Sequence, residues 1–192
     1  MFPSSSDAIR LSWALAATHK ERLRCVHLAM DHIAQDMTKT RQHRQGRSED
    51  ELSIEVISAL TYMGITATHD TQYGGHCDIV VESKASFLWL GEAKIHSAYD
   101  WLYQGFEQLG TRYSTGLAGQ DAGGLIIYCY SGRIDRIMCN WKSHLVSKYQ
   151  EITIEDCADN DLAFISVHPH PITGRSFRVR HMPFALQFSP RV

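Results

Sequence analysis

The stretch Cys77–Ile95 reads CDIVVESKASFLWLGEAKI: two apolar runs, each carrying charge where a buried strand ordinarily has none. The polar centre ESKAS (Glu82–Ser86) reads as a turn, so the runs Asp78–Glu82 and Phe87–Ile95 are predicted to form an antiparallel pair. Side chains alternate along an extended chain. Glu92 and Lys94 therefore share one face, while Ala93 and Ile95 share the other. Pairing across the turn brings Asp78 beside Glu92. Two carboxylates at that range resist joint ionisation unless a cation sits between them, and oxygen-only donors favour a hard ion, Mg²⁺ or Mn²⁺. A plain salt bridge on a sheet edge is the competing reading, but it explains poorly why the charges lie inside runs that look buried.

Working outward, Ser48 opens a helix that runs to Met63 and is stopped by Gly64. A short strand follows near Thr66–Asp70, with YGGH (Tyr73–His76) as a turn before the quoted hairpin. Beyond it lie a helix from about Ala98 to Tyr113, a buried strand in the Gly-bounded run Gly123–Gly132, and a helix over Ile134–Gln150. The tail reads as a strand, a Pro/Gly turn and a second strand. Upstream, Asp7 to about His43 carries apolar residues at helical spacing, as one long helix or two shorter ones, and the polar, basic segment Thr38–Arg47 reads as a hinge. The fold class is α/β, with helices packed on a central mixed sheet and a C-terminal β-hairpin. Residues 1–47 are read as an N-terminal helical extension and 48–192 as the main domain.

With 192 residues the chain is long enough for a substantial core. It has neither an apolar run long enough to span a bilayer nor a charged-then-apolar leader, so no membrane association and a cytoplasmic location are expected. Five scattered cysteines with no CxxC spacing argue against a disulfide framework or a zinc knuckle. The net charge of −2 conceals segregation. Residues 1–47 hold eight Lys/Arg against four Asp/Glu, residues 48–161 seven against seventeen, and residues 162–192 four Arg and no acid. Basic flanks around an acidic centre suit a protein that holds phosphates around a metal pocket, and equally suit plain solvated faces.

The D-x13-E-x-K arrangement, GGHCDIVV followed by WLGEAKI, resembles the PD-(D/E)xK nuclease superfamily of restriction endonucleases, Holliday-junction resolvases and RecB-type nucleases. The resemblance covers about Ser48–Gly132. Cys77 stands where the nominal proline would be. It implies a restriction-endonuclease-like αβββαβ core and Mg²⁺-dependent hydrolysis of nucleic-acid phosphodiesters, DNA favoured over RNA, in defence and restriction or in repair. Asp78 and Glu92 would hold the metal. Lys94 would orient the attacking water or stabilise charge on the attacked phosphate. The alternative is a catalytically silent nucleic-acid-binding or assembly module with the same fold.

The superfamily often adds a glutamate on the helix before the sheet, and Glu49, Glu51 and Glu55 compete for that role. On a helical wheel Glu49 lies along the stripe Leu52, Val56 and Leu60, Glu51 completes a capping box with Ser48, and Glu55 falls off the stripe centre. Glu49 is favoured, with Glu55 next. Gln104 and Gln108 share a helix face. Gln108 with Tyr113 is similar to the Q-x3-Y element of RecB-type nucleases, with one extra residue before the tyrosine. The aromatic residues Tyr99, Trp101, Tyr103 and Phe106 read first as core, with base stacking as the second reading. His168–Pro171 (HPHP) reads as a turn ahead of a metal pair. Arg175, Arg178 and Arg180 read either as a phosphate track or as a basic edge strand. A homodimer through the N-terminal helices, or an activating protein partner, is the expected association.

Overall fold

The computed structural model describes residues 5–69, 71–72 and 76–189, the side chains of residues 71, 72, 112 and 113 excepted. In chain order the elements are α1 (Ser6–Leu15), α2 (His19–Lys39), α3 (Glu49–Tyr62), β1 (Ala67–Thr68), β2 (Thr71–Gln72), β3 (His76–Cys77), β4 (Ile79–Ser83), β5 (Phe87–Ile95), α4 (Tyr99–Gln108), β6 (Ala122–Cys129), α5 (Ile134–Lys148), β7 (Thr153–Asp156), β8 (Phe164–Pro169) and β9 (Ser176–Ala185). Seven strands form one mixed sheet in the order β1-β4-β5-β6-β9-β8-β7, and β2 pairs with β3 separately. The central strands β5, β6 and β9 run parallel to one another, and β4 and β8 pair antiparallel with the outer two. This is why all eight residues of β6 are buried: both of its edges are paired and both faces are covered.

Alternation divides the core into two layers. Ile79, Val81, Phe87, Trp89, Ala93 and Ile126 pack beneath α2 and α3, while Val80, Leu88, Leu90, Leu125 and Ile127 pack beneath α4 and α5. Trp89 lies flat across two glycines: a Cβ on Gly91 would stand 2.8 Å from its ring and one on Gly124 2.5 Å. The segment read as an extension supplies much of the first layer, with Val26, Ala29, Met30, Ile33 and Met37 of α2 buried in the same core as α3 and the sheet. Two helices form there, because Thr18 and Glu21 build a capping box that starts α2 anew.

The first predicted strand shrinks to Ala67–Thr68. Asp70 and Tyr73–Gly75 lie outside the described residues. The helix expected to reach Tyr113 is α-helical only to Gln108 and finishes in a π turn over Leu109–Tyr113. The tail adds β7 to the expected pair β8 and β9. Among the described residues, no helix is long and apolar enough to cross a membrane.

Candidate functional site

The hairpin register pairs Ile79 with Gly91, and one residue further Asp78 falls opposite Glu92. Asp78 precedes β4, and its Oδ2 accepts the Ala93 N–H (2.7 Å), which ties the carboxylate to the partner strand. Glu92 is 2% exposed. Its Oε1 accepts from Lys94 Nζ (2.6 Å), whereas its Oε2 is buried with no hydrogen-bond partner. From the other layer, the first residue of α3 reaches the same strand end: Glu49 Oε1 accepts the Ile95 N–H (2.6 Å), and Glu49 Oε2 lies 4.0 Å from Lys94 Nζ. Three carboxylates and one ammonium thus meet at the C-terminal end of β5.

The electrostatics follow from this crowding. Burial, and then the Asp78 charge, push the Glu92 carboxyl up to about 7, against the pull of Lys94. Burial also raises Asp78, partly countered by the Ala93 N–H. For Lys94, burial acts downward, but Glu92, Glu49 and Asp78 outweigh it and the ammonium is held more tightly than usual.

The rival glutamates have structural work. Glu51 closes the capping box with Ser48, and Glu55 is bound by Arg44 and Arg47. Gln104 is exposed; Gln108, one turn after Gly105, has a buried Oε1 with no hydrogen-bond partner. The Tyr113 side chain lies outside the described part. His170 holds a turn, its Nδ1 accepting from the Ile172 and Thr173 N–H groups. His168 sits among Phe106, Tyr149 and Phe177. HPHP is only half a turn: His168 and Pro169 end β8, paired with Phe177 and Ser176, and the turn follows at residues 171–173.

The arginines do not form a track beside the carboxylates. β9 pairs with β6 so that Arg178 and Arg180 align with Ala122 and Gly124, on the sheet face under α2, whereas Glu92 and Lys94 align with Leu125 and Ile127 under α4. Arg180 is 3% exposed and bound to both oxygens of Asp31, Arg178 is bound to Glu155, and Arg175 is exposed in the turn before β9.

Beside the site stand Gly105 and His69, which the sequence did not single out, and Trp101, which reads from the sequence first as core. Gly105 lets the lysine pass beneath α4, for a Cβ there would stand 3.0 Å from Lys94 Cγ and 3.1 Å from its Cε. One turn earlier, Trp101 lays its ring 4.9 Å from Lys94 Nζ, and its indole N–H points to Glu49 Oε1 (3.4 Å). His69 donates from Nδ1 to the Asp78 carbonyl (2.8 Å). Spacing on α4 could have flagged Trp101 and Gly105 as one face, four residues apart. Nothing in the sequence near His69 marks it.

The donor set fits a hard cation. Glu92 Oε2 is a buried acceptor without a donor beside a second carboxylate, the situation an oxygen-ligated ion resolves. Among the described residues no group of three or more His, Cys, Asp and Glu is arranged to hold a metal by itself. Mg²⁺ commonly takes one or two carboxylates and keeps several waters. Comparison of the chain with protein-family models, curated proteins and solved structures finds no match.

Proposed function

We propose that the chain is a Mg²⁺-dependent nuclease of the PD-(D/E)xK type, with DNA as the favoured substrate. The observation that carries the reading is the meeting of Asp78, Glu92 and Lys94 on one sheet face, with Glu49 entering from α3. The succession α3, β1, β4, β5, α4, β6 supports it, following the αβββαβ order of a restriction-endonuclease-like core once the small β2–β3 pair is set aside.

Asp78 and Glu92 would hold the ion, or Mn²⁺ in its place. Bound there, it would supply Lewis-acid polarisation of a phosphate oxygen and acidify a water. The protein's own part is positional and electrostatic. The Ala93 N–H fixes Asp78, the Ile95 N–H fixes Glu49, and Lys94 is directed by Glu92 and Trp101. Its protonated ammonium has no lone pair and so holds no metal; it opposes the negative charge that builds on the attacked phosphate.

The test is cleavage of plasmid, linear and single-stranded DNA, and of RNA, in Mg²⁺, Mn²⁺ or EDTA. Asp78→Ala and Glu92→Ala should each abolish metal-dependent cleavage while the protein stays folded. Lys94→Ala should keep DNA affinity, measured in Ca²⁺, and lose about 10²-fold or more in single-turnover rate. Binding without cleavage in every metal would replace this reading with a silent nucleic-acid-binding module.

A further inference from the structure

We infer that Trp101 is the base-stacking platform of this site, and that the substrate is nucleic acid presenting an unpaired base next to the phosphate that is cut. The inference rests on the nuclease reading for what happens to the phosphate, but not for the contact itself.

Trp101 lies in the second half of the first turn of α4, and its ring covers the Lys94 ammonium at 4.9 Å while its N–H points at Glu49. These contacts fix the ring in place at the edge of the charged cluster, yet 39% of the residue remains exposed. A large aromatic left that open is poorly explained as packing. Trp89 and Trp141, by contrast, are fully buried. A ring held rigidly beside a cation has lost little freedom still to be lost on binding, and it presents apolar surface within a few ångströms of where a phosphate would meet Lys94. Stacking on such a surface tolerates any base, because every base has a π face. Bases inside a duplex are already stacked on their neighbours, so the platform selects for single strands, frayed ends or splayed junctions.

The experiment uses the full chain in Ca²⁺ and two probes of equal length, an oligothymidylate and an abasic oligomer with the same phosphates. The oligothymidylate is expected to quench tryptophan emission and the abasic oligomer to leave it unchanged. Trp101→Phe should abolish the quench while keeping affinity, since a ring remains. Trp101→Leu should weaken oligothymidylate binding by about 5- to 150-fold and collapse its advantage over the abasic oligomer. If both oligomers bind and quench alike, or if Trp101→Leu binds oligothymidylate like the wild type, the inference is overturned. The two readings fail separately. Base-dependent quenching without cleavage in any metal keeps the platform and removes the nuclease. Metal-dependent cleavage without base-dependent quenching does the reverse, and neither signal removes both.

Discussion

Two buried ion pairs occupy opposite faces of the central sheet, Arg180–Asp31 under α2 and Lys94–Glu92 under α4, and they are completed differently. Arg180 makes two bonds to the Asp31 carboxylate (3.1 and 2.8 Å) and a third to the His27 carbonyl, and Asp31 also accepts from Asn160. Every charge there is answered. Lys94 answers only one oxygen of Glu92, and two further carboxylates crowd the same corner. The first pair ties α2 to β9; the second leaves an acceptor unused and acids in mutual repulsion. Removing one partner of a closed buried pair leaves an uncompensated charge, whereas the open pair already holds an unanswered acceptor.

The sharpest way to break this comparison is to remove the acid from each pair. Asp31→Ala strands a buried guanidinium and should cost about 3–5 kcal/mol by urea denaturation. Glu92→Gln keeps the shape, relieves repulsion with Asp78, and should cost far less. Equal losses would erase the distinction.

Acid titration comes next. Burial holds His168 at about 4 and His27 at about 3, below the ordinary 6.5. Each therefore stays neutral in the folded chain where the unfolded chain takes up a proton. Their contribution is whole above about 6.5 and is lost as pH falls toward 4. For His168 alone the loss is about 3 kcal/mol. Glu92 has the opposite sign: raised from 4.5 to about 7, it contributes fully below 4.5, and that contribution is lost as pH rises through 7. In metal-free buffer, His168→Phe should make the acid limb of stability shallower and Glu92→Gln should make it steeper, as followed by denaturation at pH 4.5 to 7.5.

Smaller effects test the walls of the open pair. Gly105→Ala places a methyl against Lys94 and Leu125, so overpacking of about 1–3 kcal/mol competes with a gain of about 1 kcal/mol in helix propensity. Melting should fall slightly while cleavage falls sharply, because the ammonium is displaced. Smallest of all, Glu51→Ala should lower stability by about 0.5–1 kcal/mol through the lost cap and spare activity. Glu49→Gln should do the reverse. Exchanged outcomes would move the helix acid from Glu49 to Glu51.

Much of the open pair could be read from the chain alone because its geometry is local. Asp78, Glu92 and Lys94 lie on one hairpin, where alternation and a single turn set the register, and the phase of Glu49 follows from Leu52, Val56 and Leu60. The closed pair could not be read this way. Asp31 and Arg180 are 149 residues apart, and which face Arg178 and Arg180 occupy depends on how β9 aligns with β6, a pairing that no local pattern encodes. The two-residue strands and the π turn lie below what periodicity resolves. Trp101 and Gly105 had a visible spacing, but their meaning required Lys94 to pass beneath them.

The parallel pairing of β6 with β9 also sets when the site comes into being. Every residue of the charged corner is synthesised before residue 110, yet the strand that β5 lies against is completed only when Ser176–Ala185 docks along its far edge. Such a long-range closure is slow and comes late. A chain emerging from the ribosome would thus carry Asp78, Glu92 and Lys94 as hydrated charges while α4, β6, α5, β7 and β8 are made, and bury them fully only once Ser176–Ala185 has docked.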